Sequence, residues 1–182
     1  MTSDKTKIRS AATVIVVRNK HKNPSVLMGQ RGVNAAFMPS KFVFPGGAVD
    51  DQDLSIDIKK SINEVCKKRL LKENENGSWS GLVAAAIREL FEETGLVGEI
   101  NGVIAIRNKN DFEKTSIFIC YDVIPLSEDI VIDGNEITDV KFIQLDDVKD
   151  INWISPAMKY IVISSLKTKR GLQLLDLSLI HI

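Results

Sequence analysis

The stretch AAAIRELFEETGLVGEI, residues 84–100, decides the fold prediction because it places one arginine and three glutamates within six positions of an otherwise apolar segment. On a helix each residue turns about 100°, so with Glu89 at zero, Glu92 falls near 300° and Glu93 near 40°. The three carboxylates therefore share one face. An adjacent apolar stripe, suited to packing on a sheet, consists of Val83, Ala86, Ile87 and Leu90.

A face with this much like charge calls for a partner. Glutamates three and four positions apart on a helix repel one another by about 0.2–0.5 kcal/mol per pair. Arg88 lies four positions before Glu92 and offsets one charge, and the remaining negative charge suits a hard divalent cation with oxygen ligands. The alternative is a solvated acidic face, because glutamate is a strong helix former and is common on exposed helix surfaces.

The composition predicts one domain that recognises its ligand locally. The chain has 182 residues, 24 basic and 24 acidic side chains, 44% hydrophobic residues and 26% charged residues. This balance provides no overall field for attracting nucleic acid or an anionic membrane, and no apolar run approaches the roughly 18 residues that span a bilayer. We expect a polar tail at 1–8 and a single domain at 9–182.

Cysteine and histidine usage points to a reducing compartment and to oxygen-based metal chemistry. Cys66 and Cys120 lie far apart without a Cys-x-x-Cys partner, and His21 and His181 are isolated. These spacings argue against a zinc or haem site and for ordinary reduced thiols. The N-terminal MTSDKTKIRS lacks the apolar centre of a secretory signal, so we expect a cytoplasmic protein.

Hydrophobic patterning predicts strands and helices mixed around one sheet. The principal helix is expected at Gly81 to Thr94, with Ser80 as N-cap and Gly95 just past its end. A surface helix is expected from Leu54 to about Leu71, and a closing helix at 155–169. Strands are predicted at 11–19, 26–31, 103–108, 116–124, 129–133 and 139–145, and FVFPGGAVD at 42–50 predicts a short strand, a sharp turn and a second short strand.

These residues resemble the box of the Nudix hydrolases, G-x5-E-x7-R-E-U-x-E-E-x-G-U, where U is a bulky aliphatic residue. RELFEETGL, residues 88–96, matches the second half at every specified position, and FPGG, residues 44–47, is similar to the glycine turn that opens the box. Gly47 and Arg88 are 41 positions apart, whereas the pattern separates them by 14, so the box is split by an insertion at about 52–78. Counted back from Arg88, the first box glutamate falls on Ser80, so it is absent or is replaced by an acid such as Asp50 or Asp51.

The resemblance implies an α/β/α sandwich around a mixed β-sheet and hydrolysis of a nucleoside diphosphate derivative with Mg²⁺ or Mn²⁺. By the same resemblance, Glu89, Glu92 and Glu93 bind the metal, together with a carbonyl of Gly46 or Gly47. Arg88 is implied to orient a glutamate without touching substrate. The general base is implied to be Glu93, or else an acid on the GNEITDVKF loop, Glu136 or Asp139.

For the substrate, LMGQRGVNAAFMPSKFVFPGG, residues 27–47, is similar to the upstream signature of coenzyme A-cleaving Nudix members, L-L-T-x-R-(S or A)-x3-R-x3-G-x3-F-P-G-G. Leu27, Arg31 and FPGG agree and Met28 is a mild change, but four positions depart from the signature: Gly29, Gly32, Ala36 in place of the second arginine, and Ser40 in place of the glycine. Together with the insertion, this is most similar to the peroxisomal coenzyme A diphosphatase type and its bacterial relatives.

Three alternatives stay open on the sequence alone. The substrate could instead be ADP-ribose, a dinucleotide polyphosphate or an oxidised nucleotide, because the box does not decide it. A rival of another class is a nucleotide-binding Nudix-fold module without catalysis, although such modules usually lose box carboxylates. Some Nudix enzymes dimerise, so a homodimer is compatible with the sequence, which marks no interface.

Overall fold

A computed structural model describes residues 10–19, 22–35, 39–58, 64–73, 79–111, 114–132, 134, 137–144, 146–151 and 159–163. The strands are β1 (Ala11–Arg18), β2 (Ser25–Arg31), β3 (Phe42–Val43), β4 (Gly46–Ala48), β5 (Gly98–Asp111), β6 (Lys114–Pro125) and β7 (Ile137–Gln144). The helices are α1 (Glu64–Glu73) and α2 (Trp79–Thr94), with short 3-10 turns at Asp53–Ser55 and Asp147–Asp150.

Within these ranges the strands form one mixed sheet that is organised around β1. This strand runs parallel to β6, with Ala11 opposite Phe118 and Val16 opposite Val123. Along its other edge β1 pairs with two antiparallel strands. Its first residues pair with β4, and its last residues pair with β2. The pairing of β4 with β1 places the Pro-Gly-Gly turn beside β1.

Alternate residues of β1 point to opposite faces of the sheet. Each face packs against its own hydrophobic cluster. Val14 and Val16 belong to the core cluster that contains Leu82 and Leu90 of α2. Ile15 belongs to a second cluster with Val148 and with Ile161 of the helical segment 159–163. The predicted mixed sheet between helices is therefore confirmed.

Helix α2 ends where the sequence predicts. Gly95 has a positive φ of 70°, which glycine adopts without a Cβ penalty, and its N–H donates to the Phe91 carbonyl at 2.8 Å. The N-cap prediction for Ser80 is wrong, because α2 already includes Trp79 and Ser80. Of the predicted closing helix, 159–163 is helical, and the remainder lies outside the described residues.

Two predicted elements are wrong. Residues 129–132 form no strand, and Asp133 lies outside the described residues. The Val131 N–H donates to the Thr94 carbonyl at 2.9 Å, so this segment closes the end of α2 instead of joining the sheet. The surface helix does not begin at Leu54, because Asp53 to Ser55 form a 3-10 turn that carries Asp53 inward, and α1 begins only at Glu64.

Neither described helix is long and apolar enough to cross a membrane.

Candidate functional site

Helix α2 carries the predicted acidic face, and this face meets the turn between β3 and β4. The Gly46 N–H donates to Glu93 Oε2 at 3.2 Å. The Glu89 carboxylate lies so close to Gly47 that a Cβ there would overlap it. The side chain of Glu89 is 17% exposed, whereas that of Glu92 is 56% exposed. The two halves of the split sequence pattern therefore come together in the fold.

The turn itself is fixed against β1. The Pro45 carbonyl accepts the Val14 N–H and the Thr13 hydroxyl, both at 2.9 Å. At Gly46 the φ is 152°, and a Cβ would overlap the Ala12 carbonyl oxygen and the Thr13 Cα. Only glycine can hold this backbone so near its neighbour strand.

Arg88 connects the turn to the helix. Its Nη1 donates to Glu89 Oε1 at 2.9 Å and to Glu92 Oε2 at 2.7 Å. Its Nη2 donates to the Ala48 carbonyl at 3.1 Å, directly after the glycine turn. The guanidinium therefore orients Glu89 and Glu92, two of the predicted metal ligands. Its own position is fixed by the Ala48 carbonyl, which follows the glycine turn.

Asp53 is a buried acid of this junction that the sequence patterns above do not predict. Its carboxylate is fully buried and pairs with Arg88 through two bonds, Nε to Oδ1 and Nη2 to Oδ2, both at 3.0 Å. It also accepts the Asp50 N–H at 2.8 Å, while Asp50 itself lies 3.7 Å from the guanidinium and is 55% exposed. Asp50 or Asp51 is the predicted replacement for the missing first box glutamate, and Asp53 is the aspartate that hydrogen-bonds to Arg88.

A signal for Asp53 was present in the sequence. The pattern places its first acid six positions after the glycine, and six positions after Gly47 is Asp53. Counting back from Arg88 crosses the extra residues and lands on Ser80 instead. Counted forward, the extra residues follow Asp53, so an aspartate stands where the pattern has glutamate.

The charges at this junction shift the ionisation of its members. Burial alone would raise the pKa of Asp53, but the Arg88 and Asp50 hydrogen bonds and the Arg88 charge together lower it below its ordinary value. The hydrogen bond to Asp53 is the main reason that the pKa of Arg88 is raised, so this arginine stays charged. Burial raises the pKa of Glu89, against the opposing effect of Arg88.

Some predicted residues are not brought together, or lie outside what the structure describes. In the described part of the chain, no three His, Cys, Asp or Glu side chains are grouped as they would be around a metal ion. Glu136 lies outside the described residues. Asp139 is exposed on β7 and lies 3.5 Å from Lys141. A metal-facing carbonyl at Gly46 or Gly47 stays a prediction, as does the choice of base.

Comparison with known families identifies the fold around this site. Residues 79–162, which are less than half of the chain, match the model of the NUDIX domain. The match begins at Trp79, the first residue of α2, and so it includes the Arg88 half of the pattern but not the glycine turn.

Two relatives are named as Nudix hydrolases. The protein named "Putative nudix hydrolase 7" of Caenorhabditis elegans is 33% identical over 114 residues, which are 63% of this chain and 30% of that protein. Nudix hydrolase 8 of Arabidopsis thaliana is 39% identical over 66 residues, which are 35% of this chain and 18% of that protein. This chain thus spans less than a third of the length of either relative.

Solved structures agree on the fold. The NUDIX domain of Shewanella oneidensis NrtR complexed with ADP ribose has a TM-score of 0.56 and 20% identity, over 88% of each chain. A NUDIX hydrolase from Nitrosomonas europaea has a TM-score of 0.59 and 13% identity, over 91% of this chain and 93% of that one. A Caenorhabditis elegans Ap4A hydrolase binary complex has a TM-score of 0.55 and 16% identity, over 87% and 95%. At these identities the likeness shows the fold alone.

The donor atoms near the turn are of the kind that hard cations bind. Nudix hydrolases generally use divalent metal ions. Glu89 and Glu93 both reach the Gly46–Gly47 turn, and Glu92 follows on the same helix face. These are oxygen donors, which Mg²⁺ and Mn²⁺ prefer over softer metals. A cation would compete with Arg88 for Glu89 and Glu92.

Proposed function

We propose that this chain hydrolyses the diphosphate linkage of a nucleoside diphosphate derivative with the help of Mg²⁺ or Mn²⁺. The observation that carries the proposal is the meeting of Glu89 and Glu93 with the Gly46–Gly47 turn, while Arg88 is fixed by the buried Asp53. Such a carboxylate surface, held by a rigid second layer, is what a metal-assisted phosphoryl transfer requires.

The proposed roles follow from the contacts of each residue. A bound divalent ion would offset the negative charge of the phosphate oxygens and would lower the pKa of a water molecule bound to the ion. Glu89, Glu92 and Glu93 are the proposed ligands. Arg88 is a positioning residue, because its donors are committed to Asp53, Ala48, Glu89 and Glu92.

The proposed reaction needs one base and no covalent intermediate. The water oxygen forms a bond to phosphorus, the bond from phosphorus to the bridging oxygen breaks, and the water proton goes to a carboxylate. We assign this proton first to Glu93, whose orientation is supported by the Gly46 N–H at 3.2 Å. Glu136 is the second choice for the base.

Coenzyme A or an acyl derivative is the proposed substrate class. The support is the upstream sequence signature and one backbone feature. Ser40 has a positive φ of 57°, and it stands where the signature has glycine, the residue that adopts this conformation most readily. The loop thus keeps the backbone that the signature glycine favours, although Ala36, in place of the signature's second arginine, lies outside the described residues.

ADP-ribose, dinucleotide polyphosphates and oxidised nucleotides are the alternative substrates. The proposal further includes one domain over 9–182 with its insertion at about 52–78, a cytoplasmic location and no binding of nucleic acid or membrane. A homodimer is not required by it.

A second candidate function is nucleotide binding without hydrolysis. It is favoured by the pairing of Glu89 and Glu92 with one guanidinium, together with the lack of a three-ligand group among the described residues. In this function Arg88 would keep both carboxylates from a cation.

One experiment separates the two functions. The protein is incubated with MgCl2 or MnCl2 and a panel containing coenzyme A, acetyl-coenzyme A, ADP-ribose, a dinucleotide tetraphosphate and an oxidised nucleoside triphosphate, and the products are identified by mass spectrometry. We expect metal-dependent cleavage that is fastest for coenzyme A or its acyl derivative. An absence of products with every compound, together with a nucleotide-dependent rise in Tm, would support the binding module instead.

A further inference from the structure

A second concave surface lies on α2, away from its acidic face. It has a volume of about 580 Å³ and is walled by three separate elements, namely the segment after the 3-10 turn, helix α2 and the start of β5. Its apolar walls are Ile56, Ile58, Val83, Ile87, Phe91 and Ile100. The volume lies within the roughly 300–1,000 Å³ typical of small-molecule sites.

Helical geometry separates this cavity from the candidate metal site. With Glu89 at zero, Ile87 lies near 160° and Phe91 near 200°, so the cavity is on the opposite side of the helix. Arg88 also lines the cavity, but its guanidinium is bound to Asp53, Glu89 and Glu92. A molecule in the cavity therefore does not take the place of the phosphate groups.

Parts of the cavity wall are exposed to solvent although they are strongly apolar. Phe91 is 56% exposed and Ile56 is 46% exposed. Each comes from a different element, so the two side chains face a shared concavity and not a flat surface. Covering them with an apolar ligand would remove this area from water, which is favourable by about 25 cal/mol per Å².

The charges around the cavity restrict the ligand further. The described lining contains the acidic residues Asp57 and Glu99, and Arg88 as its basic residue. Arg88 is surrounded by three carboxylates, so that group carries net negative charge. Among the described lining residues negative charge exceeds positive charge, so these residues favour a neutral or cationic ligand over a carboxylate or phosphate.

We propose that this cavity is a second ligand site, which binds a small neutral or cationic molecule with an aliphatic body. The site stands apart from the proposed hydrolysis, because it uses the other side of α2. Its occupant is held by apolar contact with Ile56, Ile87 and Phe91, and its polar end lies toward Asp57 or Glu99.

The test measures binding and needs no turnover. Unbranched alkylamines, alcohols and carboxylates from butyl to octyl are titrated into the full chain by calorimetry, without added metal. We expect binding of the amines to tighten about fourfold with each added methylene. We expect carboxylates of equal length to bind at least about tenfold more weakly than the amines. Affinity that does not change with chain length, or carboxylates that bind as well as amines, would overturn the proposal.

Variants locate the binding. Ile56→Ser and Phe91→Ser should each weaken octylamine binding at least about fivefold, since each removes apolar contact area. Leu126→Ser is the matched control, because Leu126 is 62% exposed and is not among the lining residues. All three positions are exposed enough for serine to leave the fold intact, which melting curves verify. If Phe91→Ser unfolds, Ile56→Ser decides alone. An equal loss in Leu126→Ser would refute the assignment.

Discussion

The two halves of the candidate site, the turn segment at 44–53 and the helix segment at 88–93, are held in place by different forces. The turn segment depends on the backbone position of Gly46, which only glycine can occupy, and on the fully buried Asp53. The helix segment carries charge at the surface, where Glu92 is 56% exposed. Substitutions at Gly46 and Asp53 should therefore mainly lower stability, whereas substitutions of the helix glutamates should mainly lower the rate.

The largest effect is expected for Gly46→Ala. The new Cβ would overlap the Ala12 carbonyl and the Thr13 Cα, which are backbone atoms that cannot move aside, at a φ of 152° that residues with a Cβ rarely adopt. We expect a loss of about 3 kcal/mol in the free energy of unfolding, measured by urea titration.

Gly47→Ala is the matched control for this change. There the Cβ would meet the Glu89 carboxylate, the movable end of a side chain. We expect stability to fall by less than about 1 kcal/mol, while the metal-dependent rate falls because Glu89 is displaced. Equal destabilisation by both variants would contradict the special role of the Gly46 backbone.

The next largest effect concerns the helix segment. Glu92→Gln and Glu93→Gln should each lower kcat at least about a hundredfold, or about 2.7 kcal/mol of transition-state stabilisation, because each removes the charge of a proposed metal ligand. Unfolding free energy should stay within about 0.5 kcal/mol for the exposed Glu92, whose ion pair with Arg88 is screened by solvent. Glu64→Gln on α1, 70% exposed, is the control and should keep full activity. Rates within threefold of wild type for both site variants would remove these glutamates from the site.

A smaller effect is expected for Asp53→Asn, which tests the contact between the halves. Asparagine keeps the shape but leaves Arg88 without its buried counter-charge, although Glu89 and Glu92 still neutralise part of it. We expect a loss of about 2 kcal/mol in the free energy of unfolding. Asp50→Asn, at a residue that is 55% exposed, should cost under about 0.5 kcal/mol. A larger loss for Asp50→Asn would show that the wrong aspartate has been assigned.

The pH dependence sharpens this test. Because the pKa of Asp53 is lowered in the folded protein, its ionised form stabilises the fold above the unfolded pKa of about 3.9, and this contribution is lost as the pH falls through the folded pKa. The stability difference between wild type and Asp53→Asn should therefore shrink on acidification below about pH 4. A difference that stays constant would mean that the charge of Asp53 is not what stabilises the fold.

The same contrast explains what could be predicted from the sequence. Helix α2 and its acidic face follow from a period of 3.6 residues, which needs no knowledge of distant contacts. Asp53 was missed because the extra residues break the spacing to Arg88, and only the distance from Gly47 is preserved. The segment at 129–133 alternates like a strand, yet its hydrogen bond goes to the end of α2, which local alternation cannot reveal.

The smallest effect is expected at Ser40, where the chain approaches the turn segment. Ser40 has a φ of 57°, and its N–H donates to the Arg31 carbonyl at 3.2 Å, so a residue in the left-handed conformation lies just before β3. Serine is penalised in this region by about 1–2 kcal/mol, and glycine is not, although glycine loses more entropy on folding.

Ser40→Gly should therefore raise the free energy of unfolding by less than about 1 kcal/mol and Tm by about 1–3 °C, measured by calorimetry. Asn23→Gly is the control, since Asn23 has a similar φ of 56° but asparagine tolerates it better, and its Tm should change less. If Ser40→Gly lowered Tm, the Ser40 side chain would stabilise the fold by more than its positive φ destabilises it.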